Sequence, residues 1–163
     1  MACRGVHFAV TPEQASALAD APDDETLMAQ IETLEEAWDI EHLAQSDKAW
    51  DAIHRCLTDG QPGFGNGSYP LNHCVLGPRQ LHRGEHYIVS LVSPETVRAV
   101  ALALELITEE WFRSRYSTMV PKDYSPNYGE DDLQYTWDWF QGIRDLYRKA
   151  SAEGRAVIFT VDQ

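Results

Sequence analysis

The stretch AVIFTV, residues 156–161, constrains the fold of this chain more than any other feature. It is nearly continuous in apolar residues and rich in β-branched ones, so it reads as a strand covered on both faces. Such a strand needs neighbours on either side and a layer over each face. GVHFAV, residues 5–10, alternates with Val6, Phe8 and Val10 on one side and reads as a half-buried strand. HYIVSLV, residues 86–92, is a third, and the first and last strands are expected to pair centrally.

Helical segments separate these strands. Thr11-Pro12 is an N-cap with proline at the first helical position. In ETLMAQIETLEEAW, Leu27, Ile31, Leu34 and Trp38 recur at helical spacing with acidic residues opposite, which predicts a surface helix. In SDKAWDAIHRCLTDG, Ser46 is a candidate N-cap, Asp47 falls in the first turn and Gly60 supplies the stop, predicting a helix over about 47 to 58. GQPGFGNG, residues 60–67, is a loop, and PLNHCVLGP reads as a short helix from Pro70 to a Gly77 cap. Ser93-Pro94-Glu95 opens a mostly buried helix carrying Val97, Val100, Ala101, Leu104 and Ile107, and Thr108 caps the next segment. VPKDYSPNYGE is irregular, and a last helix runs from about Asp131 to Ala152 and closes at Gly154. Three strands among these helices predict a single compact domain spanning residues 1–163, α/β or α+β, with a mixed sheet of few strands packed by several helices.

Charge narrows the function. Thirteen basic residues against twenty-six acidic ones give a formal charge of −13, which repels phosphate backbones and anionic lipid. Nucleic acid and membrane are therefore not expected as partners. The opening MACRGVHFAV reaches polar residues after too short an apolar run for a signal core or a bilayer span, so the chain reads as cytoplasmic. Cys3, Cys56 and Cys74 match no disulfide framework and no paired CxxC zinc pattern, and are expected as reduced thiols.

The candidate metal and nucleophile pairs fail on geometry. At helical spacing His54 and Cys56 point about 160° apart, and the adjacent His73 and Cys74 also diverge, so neither pair grips one ion. The glycine loop lacks the GK[ST] ending of a phosphate cradle. No metal and no cofactor are expected. What survives is a stripe of Asp47, Asp51, His54 and Thr58 beside Trp50, with His54 at the boundary between wet and apolar faces. One reading holds His54 structurally, its ring on Trp50 and bonded to an acid or to Thr58. The other makes it a general base whose pKa the acids raise, oriented by Asp51. In the last helix Arg144 lies within a stripe of Leu133, Trp137, Phe140 and Tyr147, which predicts cation–π contact with an acidic partner or, alternatively, an anion-holding role. Tyr124 and Tyr128 in the second loop, with Arg113, Arg115 and Tyr116 before it, have the composition of a binding rim.

DKAWDAIHRCLTDG, PLNHCVLG, VSPETVRAVALAL, RSRY and DDLQYTWDWFQGIRDLYRKASAEGRAVIFTVD, in this order and spacing, resemble the YfbM-like proteins, a bacterial domain family of unknown function. The resemblance spans most of the chain. It implies a cytoplasmic single-domain fold of helices around a sheet, and it brings no activity with it. The shared lead falls on Asp47, Lys48, Trp50, His54, Leu57 and Thr58, while Asp59 is an insertion before Gly60 and the first strand is less aromatic than in the family.

These readings converge on a non-catalytic binding domain for a protein or small ligand, engaging a basic protein through its acidic surface. Its binding residues would be Asp47, Trp50, His54, Thr58, Arg115, Tyr116 and Tyr124, where the His54 helix, the glycine loop and the tyrosine loop meet. The alternative is a small-molecule hydrolase or transferase with His54 as base, Asp51 as orienter and Arg144 or Arg115 holding an anion.

Overall fold

In a computed structural model, which describes residues 3–163, strand β5 (Ala156–Asp162) is the central strand of five. It pairs on one side with β1 (Gly5–Val10) and on the other with β4 (Tyr87–Val92). Two short strands form the edges, β2 (Leu43–Asp47) beside β1 and β3 (Arg79–Gln80) beside β4. All four pairings are antiparallel, so the sheet is not mixed, and of the two expected classes the fold is α+β.

The sheet separates two cores. Helices α1 (Pro12–Ala19) and α2 (Asp24–Ala37) cover one face, where Leu18, Leu27 and Ile31 meet Phe8, Val10, Ala156 and Ile158. Helices α3 (Trp50–Leu57), α4 (Pro94–Glu105), α5 (Glu109–Met119) and α6 (Glu130–Glu153) cover the other, where Val157, Phe159 and Val161 pack against residues such as Ile53, Val100, Phe112 and Phe140. Alternate side chains of β5 thus enter different cores, which is why its sequence shows no polar face. β1 is more buried than its alternation suggests, because His7 and Ala9 are also covered from the α6 side.

Local chemistry sets the helix ends as read. Thr11, Ser93 and Thr108 each accept from the backbone N–H three residues on, Gln14 completes a capping box with Thr11, and Gly154 closes α6 in the left-handed region at φ 66°. Around Ser46 the structure differs. Ser46 is a buried residue of β2 whose hydroxyl donates to the Gly5 carbonyl at 3.1 Å, and α3 begins four residues later without a side-chain cap. Gly5 faces Asp47 while Val6 faces Gln45, so Ser46 is the extra residue of a bulge, and Asp47 takes φ 45°. The expected helix at 70–77 shortens to a single 3₁₀ turn over Leu71–His73.

Candidate functional site

The bulge decides where Asp47 points. Instead of heading a helical stripe with Asp51, His54 and Thr58, its carboxylate turns toward α6 and accepts from Tyr135 Oη at 2.6 Å. Arg4 Nε lies 3.4 Å from its other oxygen. This contact ties β2 to the start of α6, and Tyr135 also lines a cleft of about 710 Å³. Lys48, Ala49 and Ala52 form one wall, the loop from Tyr124 to Tyr128 another, and Asp131, Asp132, Tyr135 and Thr136 the third.

The phenols here are held neutral. Tyr116 is buried, stacks on Tyr128 with ring centres 5.1 Å apart, and donates its hydroxyl proton to Asp132 Oδ2. Burial, then that hydrogen bond, push its pKa well up. Burial and the bond to Asp47 raise Tyr135 to about 12, and burial together with the charge of Asp51 raises Tyr124.

A second concavity of about 520 Å³ lies on the other side of α3, between the glycine loop (Pro62, Gly63, Phe64) and the sheet end bearing Tyr87 and Ile88. Trp50 and Asp51 line it. Trp50 is anchored inward, tilted on Phe159 and donating Nε1–H to the Cys3 carbonyl at 3.1 Å. Between the two concavities runs a ridge: Arg55 donates to Asp51 at 3.2 Å and to the Gly60 carbonyl at 3.0 Å, while its guanidinium lies 5.4 Å from the centre of the Tyr124 ring. The His54 helix, the glycine loop and the tyrosine loop therefore adjoin.

His54 itself is turned away from both hollows. It is 2 % exposed, and its Nε2 lies 2.8 Å from the Gly63 carbonyl, which only accepts, so that nitrogen carries the proton. The loop, rather than Trp50, Thr58 or an acid, holds the ring. The Thr58 hydroxyl donates instead to the His54 backbone carbonyl at 2.8 Å. Burial lowers the His54 pKa, only partly offset by the Gly63 bond and the Asp51 charge, so the expected elevation by acids is reversed. A titration of the ring by NMR is expected to give a value below the ordinary 6.5, and lower still in Asp51→Asn. A value above 6.5 that falls in the variant would restore the general-base reading.

The two arginines are occupied elsewhere. Arg115 closes the end of α3, donating to the Cys56 carbonyl at 2.9 Å and to that of Thr58, with its guanidinium 5.4 Å from the Trp111 ring. Arg144 sits 5.7 Å from the ring centres of both Trp137 and Phe140 and donates to Gln141 at 3.2 Å. The cation–π contact is there, but contrary to expectation no acid among the described residues lies within ion-pair distance of it. The residues of the general-base reading are thus not brought together. Cys56 and Cys74 are buried thiols, the first pushed up to about 12 by burial. Among the described residues no group of three or more His, Cys, Asp or Glu side chains is placed to hold a metal ion, and none of the helices is long and apolar enough to cross a membrane.

Tyr135, Asp131, Asp132 and Lys48 were not among the residues expected to form the site, whereas Tyr128 was read with Tyr124 as part of a binding rim. A signal existed on α6: Asp132, Tyr135, Thr136 and Trp139 follow at three- and four-residue spacing on the flank of the aromatic stripe.

Known proteins agree with the fold and add no activity. No curated protein matches the chain. A solved structure, that of YfbM from Escherichia coli, described as a protein of unknown function, superposes with a TM-score of 0.62 at 19 % identity, covering 97 % of this chain and 99 % of that one. A family model described as a domain of unknown function, DUF1877, matches residues 1–160, and with that match the chain belongs to this family.

Proposed function

We propose that the chain is a cytoplasmic, non-catalytic binding domain that engages a basic protein through its acidic surface. The observation that carries this reading is the pair of hollows, about 710 and 520 Å³, sharing α3 as a wall within a molecule of net charge −13. Exposed acids lie on α2, at Glu25, Glu32 and Glu36, and at the start of α6, at Glu130 and Asp131. Such a surface draws a positively charged partner at long range and leaves the hollows to give the contact its shape. Nucleic acid is opposed by the same field.

The test is capture from a cell lysate at about 0.1 M and about 1 M salt, over which the screening length falls from about 10 Å to about 3 Å. Basic proteins held at the lower salt and lost at the higher are expected. A captured set that is acidic, or equally retained at both, would overturn the reading.

A further inference from the structure

The first hollow brings aromatic rings and carboxylates together. The rings of Tyr124, Tyr128 and Tyr135 line it, with Asp131, Asp132 and Lys48 also in its lining. Neutral phenol rings present electron-rich faces, and Tyr124 and Tyr135 are kept neutral by burial and neighbouring carboxylates. One of these rings already carries a cation on the chain's own account, the Arg55 guanidinium over Tyr124. Of the carboxylates, Asp132 commits Oδ2 to Tyr116 and leaves Oδ1 without a hydrogen-bond partner among the described residues. Asp131 is exposed and has neither hydrogen bond nor ion pair among them.

An anion would meet Lys48 and the positive end of α6. That helix end, however, already bears Glu130, Asp131 and Asp132 in its first turn, which more than offsets its partial charge. The lining itself has two carboxylates to one ammonium. The volume suits a long side chain together with some of the backbone that presents it.

From this combination of ring faces, spare carboxylate oxygens and shape we infer that the cleft receives a guanidinium-bearing side chain, an arginine presented by a basic protein. The ligand class rests on the reading that the domain binds such a protein. A guanidinium fits better than an ammonium because it is planar, stacks on a phenol and bonds a carboxylate with two parallel N–H groups. Tyr128 would supply a stacking face and Asp131 the fork's acceptor.

The experiment is an amide-resolved NMR titration at low ionic strength with a short arginine-glycine peptide, blocked at both ends. The same peptide with citrulline in place of arginine keeps the shape and removes the charge. The expected result is a set of shifts centred on residues 48–52 and 124–136 with the arginine peptide and none with citrulline. Tyr128→Leu should weaken binding about fivefold through loss of a ring face. Asp131→Asn, an exposed change that leaves the fold intact, should do so by a similar factor, and the double variant by more than tenfold. Shifts that fall on α2 with the cleft silent, or variants that bind as the parent does, would overturn the cleft assignment while leaving the binding-domain reading in place. Absence of any shift with the arginine peptide would likewise overturn the cleft assignment, while the salt-dependent capture decides the binding-domain reading separately.

Discussion

Lowering the pH from 6.5 to 4 is expected to cost this fold roughly 3 kcal/mol through one residue, His7. The ring is fully buried on β1, where its Nε2 donates to the Cys74 carbonyl at 3.0 Å and its Nδ1 has no hydrogen-bond partner among the described residues. Burial lowers its pKa to about 4, against an ordinary value of 6.5, and the Cys74 bond offsets only part of that. The groups around it bring no countercharge: the Tyr147 hydroxyl, which donates to the same carbonyl at 2.8 Å, and the Cys74 thiol are both raised by burial and stay neutral. Because the folded state prefers the neutral ring, the stabilisation is fully present above pH 6.5. Below that the unfolded chain takes up a proton that the folded chain does not, so stability falls as pH drops toward 4 and levels off beneath it. Urea unfolding at pH 7 and pH 4.5 measures the loss. His54 and His73 are also lowered by burial, so the comparison needs His7→Leu, in which the difference between the two pH values should shrink by most of that amount. An undiminished difference in the variant would place the acid sensitivity elsewhere.

Phe140→Ala is expected to cost about 3–5 kcal/mol, a large share of the 5–15 kcal/mol by which domains of this size are stable. Phe140 is fully buried at the middle of α6, stacked on Phe112 with ring centres 5.0 Å apart and tilted against Trp137 at 5.8 Å. Removing it opens a cavity bounded by two aromatic rings and takes away one of the two faces on which the Arg144 guanidinium rests. Rigid rings collapse poorly into a void, which puts the cost toward the upper end. Phe140→Leu, which fills most of the space, should lose less than half as much. Denaturant midpoints read both, and a loss below about 1 kcal/mol for the alanine variant would mean that α6 repacks freely.

Helices were legible in the sequence where short-range chemistry fixes them. Thr11-Pro12, Ser93-Pro94 and Thr108 each cap the helix that follows within three residues, and no distant partner is needed. The central strand was legible because burial on both faces leaves its mark in every residue. Ser46 misled because a serine before a helical pattern is a cap by local rules, whereas its actual partner is Gly5 on the neighbouring strand. The edge strands at 43–47 and 79–80 are too short to carry a period. The candidate site was half legible for the same reason. The tyrosine loop announced itself by composition, but its pairing with α6 and β2 depends on contacts such as Tyr135 with Asp47, which only the folded chain brings together.

The central place of β5 also sets when the domain becomes foldable during synthesis. Residues 5–10 can pair with 43–47, and 79–80 with 87–92, but nothing joins these two pairs until residues 156–162 arrive between them. A ribosome must therefore extrude residue 162 before the sheet exists as one object. Until then β1 and β4 each hold an apolar edge open, and contacts spanning most of the chain close slowly. The hazard of aggregation for this protein is concentrated in that interval, on the two strands that wait for the last one.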